Sequence, residues 1–119
     1  MSVTIEINPI SGACGAEILG ADLSKPLGTE DFAAVHQALL DHQVIFFRDQ
    51  KITPEQQVSF SRRFGDLRIS NQYEGLEDFP EIIEIVKEPD STGIVGNLWH
   101  SDESFLPRPA LGSLLYMIE

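Results

Sequence analysis

A mixed fold of α-helices and β-strands is what this sequence predicts, and three observations predict it. Short runs of strand length, Val3–Ile7 and Val44–Phe47, are rich in β-branched or aromatic residues. Two stretches beginning at Thr29 and Thr53 carry helical periodicity and helix-start signals. Further apolar runs, Ile82–Val86 and Ala110–Ile118, follow the helices. The order is strand, helix, strand, helix, then three more extended segments, which allows α/β or α+β.

Each element has a local reason. Val3-Thr4-Ile5-Glu6-Ile7 alternates apolar and polar, as a half-buried strand does, and is ended by Asn8-Pro9. Gly12, Gly15 and Gly20 mark turns, with a short strand at Glu17–Ile18 among them. Their spacing is not that of a phosphate-binding loop. From Thr29 to His42 a helix is predicted, with Thr29 as its cap, Glu30 and Asp31 at its positive end, and Phe32, Val35 and Leu39 on one face. His36 lies near that stripe as a packing or surface histidine rather than a ligand, and His42 sits where a helix end favours a cation. Val44–Phe47 suits a strand buried on both faces. Thr53-Pro54-Glu55-Gln56 then combines an N-cap, a proline at the first helical position and a capping box. Phe60 and Phe64 stack one turn apart, Arg62 and Arg63 sit in the last turn, and Gly65 closes the helix.

The 119 residues make one domain's worth of chain, with 42% apolar content and no apolar run of the ~20 residues a membrane span needs. The start lacks the pattern of a secretory signal, and a lone cysteine, Cys14, forms no internal disulfide, so a cytoplasmic setting is expected. The net charge of −11 repels phosphate backbones and anionic membranes. Part of that excess lies in Glu74–Asp90, which suits a solvated acidic face.

The chemistry concentrates in Asn97-Leu98-Trp99-His100-Ser101-Asp102-Glu103-Ser104-Phe105. On an extended backbone, residues two apart project from the same face, so His100 and Asp102 converge. On a helix they would diverge. A histidine and a carboxylate on one face are two-thirds of the facial triad that holds non-haem Fe(II). A His-x-Asp pair alone is a weak signal, and its flanks make it specific.

Trp99-His100-Ser101-Asp102 followed by Phe105, Pro107 and an apolar segment resembles the metal-binding word of the taurine dioxygenase (TauD/TfdA) family of Fe(II)/2-oxoglutarate-dependent dioxygenases. Three upstream words are similar to that family's and in its order. They are Gly15-Ala16-Glu17-Ile18 with Gly20-Ala21-Asp22-Leu23, then His42 to Gln50, then Phe64-Gly65-Asp66-Leu67. The resemblance runs from about Ile5 to Met117. It implies an α+β protein with a double-stranded β-helix (jelly-roll, cupin-like) core and N-terminal helices, incomplete in this chain. Residues 1–119 would be the N-terminal part of one such domain. It implies Fe(II) held by His100 and Asp102, 2-oxoglutarate as cosubstrate, and O₂. A small organic acid would be hydroxylated while 2-oxoglutarate leaves as succinate and CO₂.

In taurine dioxygenase a histidine three residues before a tyrosine helps bind the sulfonate. Here Ser70 and Tyr73 stand in those places, so the resemblance implies a substrate other than taurine, with Arg68 as a helper. Asn97 is a candidate for a substrate or supporting contact or for a turn residue, and Trp99 and Phe105 for the site's walls or for plain core packing. The family's distal metal histidine and its 2-oxoglutarate-binding arginine have no counterpart in these residues. The chain alone is therefore expected to be inactive, with possible self-association through an unpaired Ala110–Ile118 edge. A catalytically silent fragment, a cupin-like metal-binding module without redox function and an unrelated small α+β binding domain are the alternatives.

Overall fold

In the computed structural model of the chain, residues 5–70, 72–90, 92, 98–102 and 104–118 are described. They fall into two units, Met1–Asp66 and Leu67–Glu119.

The first unit carries the regular structure. Strand β1 (Glu6–Pro9) pairs antiparallel with β2 (Ala16–Leu19), with Ile7 opposite Ile18 and Pro9 opposite Ala16. Pro9 cannot donate to a ladder, and it lies on an edge strand, where a missing donor is tolerated. The turn between them closes with the Ile10 N–H donating to the Gly15 carbonyl at 3.1 Å. Gly15 has φ +101°, and a Cβ there would lie 3.0 Å from the Ile10 side chain, so both backbone and space call for glycine. Helix α1 (Thr29–His42) follows, and then β3 (Ile45–Phe46), which runs parallel to β2. The result is a three-stranded mixed sheet in the order β1-β2-β3, with α1 as the crossover of a β-α-β unit. Helix α2 (Pro54–Arg62) completes the unit.

The core is built where strand and helix faces meet. Ala16 and Ile18 of β2, Leu23, Val35 and Ala38 of α1, and Val58 and Phe60 of α2 are buried. Around them, Phe32 meets Phe64 edge to face at 5.0 Å, Phe60 meets Phe64 at 5.4 Å, and Phe47 meets Phe60 at 5.8 Å. His36 packs against Phe32 and Phe64, each at 6.0 Å, the first of the two roles expected of it. The Arg63 guanidinium lies 4.3 Å over the Phe32 ring and donates to the Leu27 carbonyl. Gln50 acts as a peptide surrogate: its amide accepts from the Leu23 N–H and donates to the Ala21 carbonyl, both at 2.9 Å.

Several expectations are corrected. Gly28, not Thr29, is the N-cap of α1, and no side chain caps that end. Helix α2 stops at Arg62 rather than running to Gly65, because Arg63, Phe64 and Gly65 turn back on carbonyls three residues earlier. The run Val44–Phe47 yields only a two-residue strand, half-buried, with Val44 exposed. Val3 and Thr4 lie outside the described residues. Neither Ile82–Val86 nor Ala110–Ile118 is a strand. Ile82 is instead held in a turn, its carbonyl accepting from Leu76 and its N–H donating to Phe79. Apolar, β-branched sequence makes a strand only when a neighbour offers a ladder, and among the described residues none does.

The second unit accordingly has no regular element among its described residues, and none of them is buried. The described residues thus form a small sheet and two helices, and the double-stranded β-helix is not seen in them.

Candidate metal centre

Two segments of the second unit carry the residues singled out by sequence. The first is Leu67–Tyr73. Ser70 Oγ accepts from the backbone N–H groups of Gln72 at 3.1 Å and Tyr73 at 3.3 Å. This is a hydroxyl-capped turn, which serine forms readily because its short side chain reaches the backbone two or three residues on. Ser70 therefore shapes the chain that presents Tyr73, whose side chain is exposed. Arg68 Nη2 donates to the Arg108 carbonyl at 2.7 Å.

The second segment holds His100 and Asp102 on a non-helical backbone between bends at Leu98 and Asp102. His100 Nε2 lies 3.2 Å from Asp102 Oδ1, as expected for residues two apart on an extended chain. Its other nitrogen, Nδ1, lies 2.7 Å from the Leu98 carbonyl oxygen. A carbonyl only accepts, so Nδ1 carries a proton and the neutral ring keeps its lone pair on Nε2. The imidazole thus faces an acceptor on each side.

The spacing suits a metal ion. Two donors, each ~2.1 Å from one ion and at right angles, stand ~3.0 Å apart, close to the separation seen. The Leu98 carbonyl supplies the outer contact that fixes ring orientation at metal-bound histidines. It is a backbone group, and no residue type in the sequence announces it. Both side chains are about half or more exposed, at 53% and 69%. A bare ion pair there contributes ~0–1 kcal/mol, too little for stability to be the reason for this geometry.

Among the described residues, no third His, Cys, Asp or Glu joins the pair around a single point. Asn97 lies outside the described residues. Trp99 and Phe105, expected to wall the site or pack a core, are instead exposed. On an extended backbone Trp99 projects from the face opposite His100. Ser101 donates to Ser104 Oγ at 2.7 Å, bracing the bend at Asp102.

The sequence profile of the taurine catabolism dioxygenase TauD, TfdA family matches residues 6–119. Pentalenolactone F synthase of Streptomyces avermitilis is 34% identical over all of this chain, which spans 42% of that protein. The (S)-phenoxypropionate/alpha-ketoglutarate-dioxygenase of Delftia acidovorans is 28% identical over 96% of the chain, which again spans 42% of it. Among solved structures, a Burkholderia xenovorans protein assigned as an alpha-ketoglutarate-dependent taurine dioxygenase superposes with a TM-score of 0.76 at 37% identity. That match covers 89% of this chain and 38% of the other. AAD-2 in complex with Mn(II) and N-oxalylglycine superposes with a TM-score of 0.63 at 33% identity, over 90% of this chain and 34% of that one. The chain therefore spans well under half the length of these relatives. No helix among the described residues is long and apolar enough to cross a membrane.

Proposed function

Because this chain belongs to the taurine catabolism dioxygenase TauD, TfdA family, we propose that it is the N-terminal part of an Fe(II)- and 2-oxoglutarate-dependent dioxygenase acting on a small organic acid. His100 and Asp102 are two of its metal ligands, and the domain it belongs to is a double-stranded β-helix. The observation that carries this is the 3.2 Å approach of His100 Nε2 to Asp102 Oδ1, with Nδ1 already committed to the Leu98 carbonyl. Bound there, Fe(II) with 2-oxoglutarate and O₂ would supply the oxidation of a substrate C–H bond, chemistry that belongs to the metal and cosubstrate. The protein's part is positional. Leu98 holds the imidazole with Nε2 toward the ion, Asp102 adds charge and a hard oxygen donor, and the Ser70 turn presents Tyr73 from its own segment.

The substrate follows from the same segment. Ser70 stands where the resemblance to taurine dioxygenase places a histidine, and its oxygen is occupied by two backbone N–H groups. A neutral hydroxyl offers a sulfonate no charge, whereas a protonated imidazole does. The phenoxypropionate dioxygenase among the relatives is named for a carboxylate substrate, which supports an organic acid other than taurine.

The test is a metal titration. The wild-type chain binds Co(II) or anaerobic Fe(II) weakly, and His100→Ala or Asp102→Ala removes that binding, measured by calorimetry. Equal isotherms for wild type and both variants would overturn the ligand assignment. In a full-length enzyme carrying this chain, taurine driving succinate release faster than other acids would overturn the substrate class.

A further inference from the structure

Arg68 is one of five arginines in an acidic chain, and its position beside the Ser70 turn makes it a natural candidate for binding an anionic substrate. The structure uses it otherwise. Its Nη2 donates to the Arg108 carbonyl at 2.7 Å, joining residues forty apart in sequence. Arg108 stands between Pro107 and Pro109. Neither proline has an N–H, and a residue before proline is confined to extended conformations, so this stretch forms no turn of its own through backbone bonds at those positions. A charged donor that reaches its carbonyl supplies a tie the backbone there does not make.

The two ends of that tie matter. Arg68 lies two residues before Ser70, whose hydroxyl turns the chain toward Tyr73. Arg108 lies six residues after Asp102, at the exit of the segment carrying His100 and Asp102. We propose that Arg68 is a positioning residue, whose guanidinium fastens the Ser70–Tyr73 segment to the Pro107–Pro109 exit of the metal-binding segment and so sets the metal-bearing backbone. This rests on the assignment of His100 and Asp102 as metal ligands. The arginine acts through the Arg108 carbonyl. A guanidinium suits the role because its planar fork keeps further donors for a second partner, which a lysine ammonium does less well.

The test uses the full chain in four forms: wild type, Arg68→Ala, Arg68→Lys and His100→Ala. Carbon NMR of the acceptor reads the tie directly. In Arg68→Ala the Arg108 carbonyl carbon moves upfield as it loses its donor, while the carbonyl shifts of α1 and α2 are unchanged. Co(II) affinity falls several-fold in Arg68→Ala, recovers in part in Arg68→Lys, and is lost in His100→Ala. An unchanged Arg108 carbonyl shift, or equal shifts throughout the chain, overturns the tie. Unchanged Co(II) affinity in Arg68→Ala, with His100→Ala still abolishing binding, overturns the positioning role while leaving the ligand assignment intact. Retention of binding in His100→Ala overturns the ligand assignment itself, which the carbonyl shift does not depend on.

Discussion

At the scale of single residues, Asp22 shows how a local turn tunes a charge. The Ser24 hydroxyl donates to Asp22 Oδ1 at 2.6 Å and the Ser24 N–H at 3.0 Å, and these bonds hold the carboxyl below its ordinary value. Lys25 adds a smaller attraction from 3.9 Å. A carboxyl lowered on folding contributes stability above its unfolded value and loses it as pH falls through the folded one. Ser24→Ala is expected to bring the Asp22 titration up toward 3.8, read by NMR of the side-chain carboxyl. The His100–Asp102 pair was legible in the sequence because a two-residue spacing on extended backbone dictates a shared face. The Leu98 carbonyl and the Arg108 carbonyl were not, because backbone acceptors have no residue type. Ser70 was legible as a position but not in its bonding, since a serine hydroxyl serves a turn and a ligand with equal chemical ease.

At the scale of elements, the two helices make a controlled comparison. Thr53 Oγ1 accepts from the Gln56 N–H at 3.2 Å, and the Gln56 side chain accepts from the Thr53 N–H at 2.8 Å, a complete capping box. Thr29 has no such bond, and the cap position there is Gly28. Thr53→Ala should therefore cost ~1 kcal/mol and Thr29→Ala less than ~0.5 kcal/mol, compared by denaturant unfolding of the first unit's helical signal. The helix boundaries could be read because caps, prolines and apolar periodicity act within a few residues. The strands at Ile82–Val86 and Ala110–Ile118 were misread for the opposite reason. Strand formation depends on partners far away in sequence, and an apolar run contains no record of whether a partner is there.

At the scale of the whole molecule, burial is divided unevenly. Among the described residues, the seven buried apolar ones lie between Ala16 and Phe60, whereas Ile85, Val86, Leu98, Leu111, Leu115, Met117 and Ile118 are exposed in the second unit. Within these 119 residues the metal has two candidate side-chain ligands, and no further acid, histidine or cysteine converges on them among the described residues. A facial site takes three. The polypeptide of these residues alone is expected to consume no O₂ and release no succinate above the no-enzyme rate, with Fe(II), ascorbate and 2-oxoglutarate supplied. Turnover above that background would show two ligands to be sufficient.

Trp99 is the chain's sole tryptophan, and its side chain is as exposed as an indole on a free peptide, at 105%. Its optical properties are therefore those of a dye immersed in water, attached one residue from an imidazole. Emission should peak near that of free indole and be fully open to a collisional quencher such as acrylamide. An ion with unpaired electrons held at His100 drains an excited state so near to it. Added Co(II) should then dim the fluorescence along the same curve as the calorimetric titration, with His100→Ala staying bright. The molecule carries its own lamp beside the place where iron is proposed to sit, and a change in brightness reports arrival without any label.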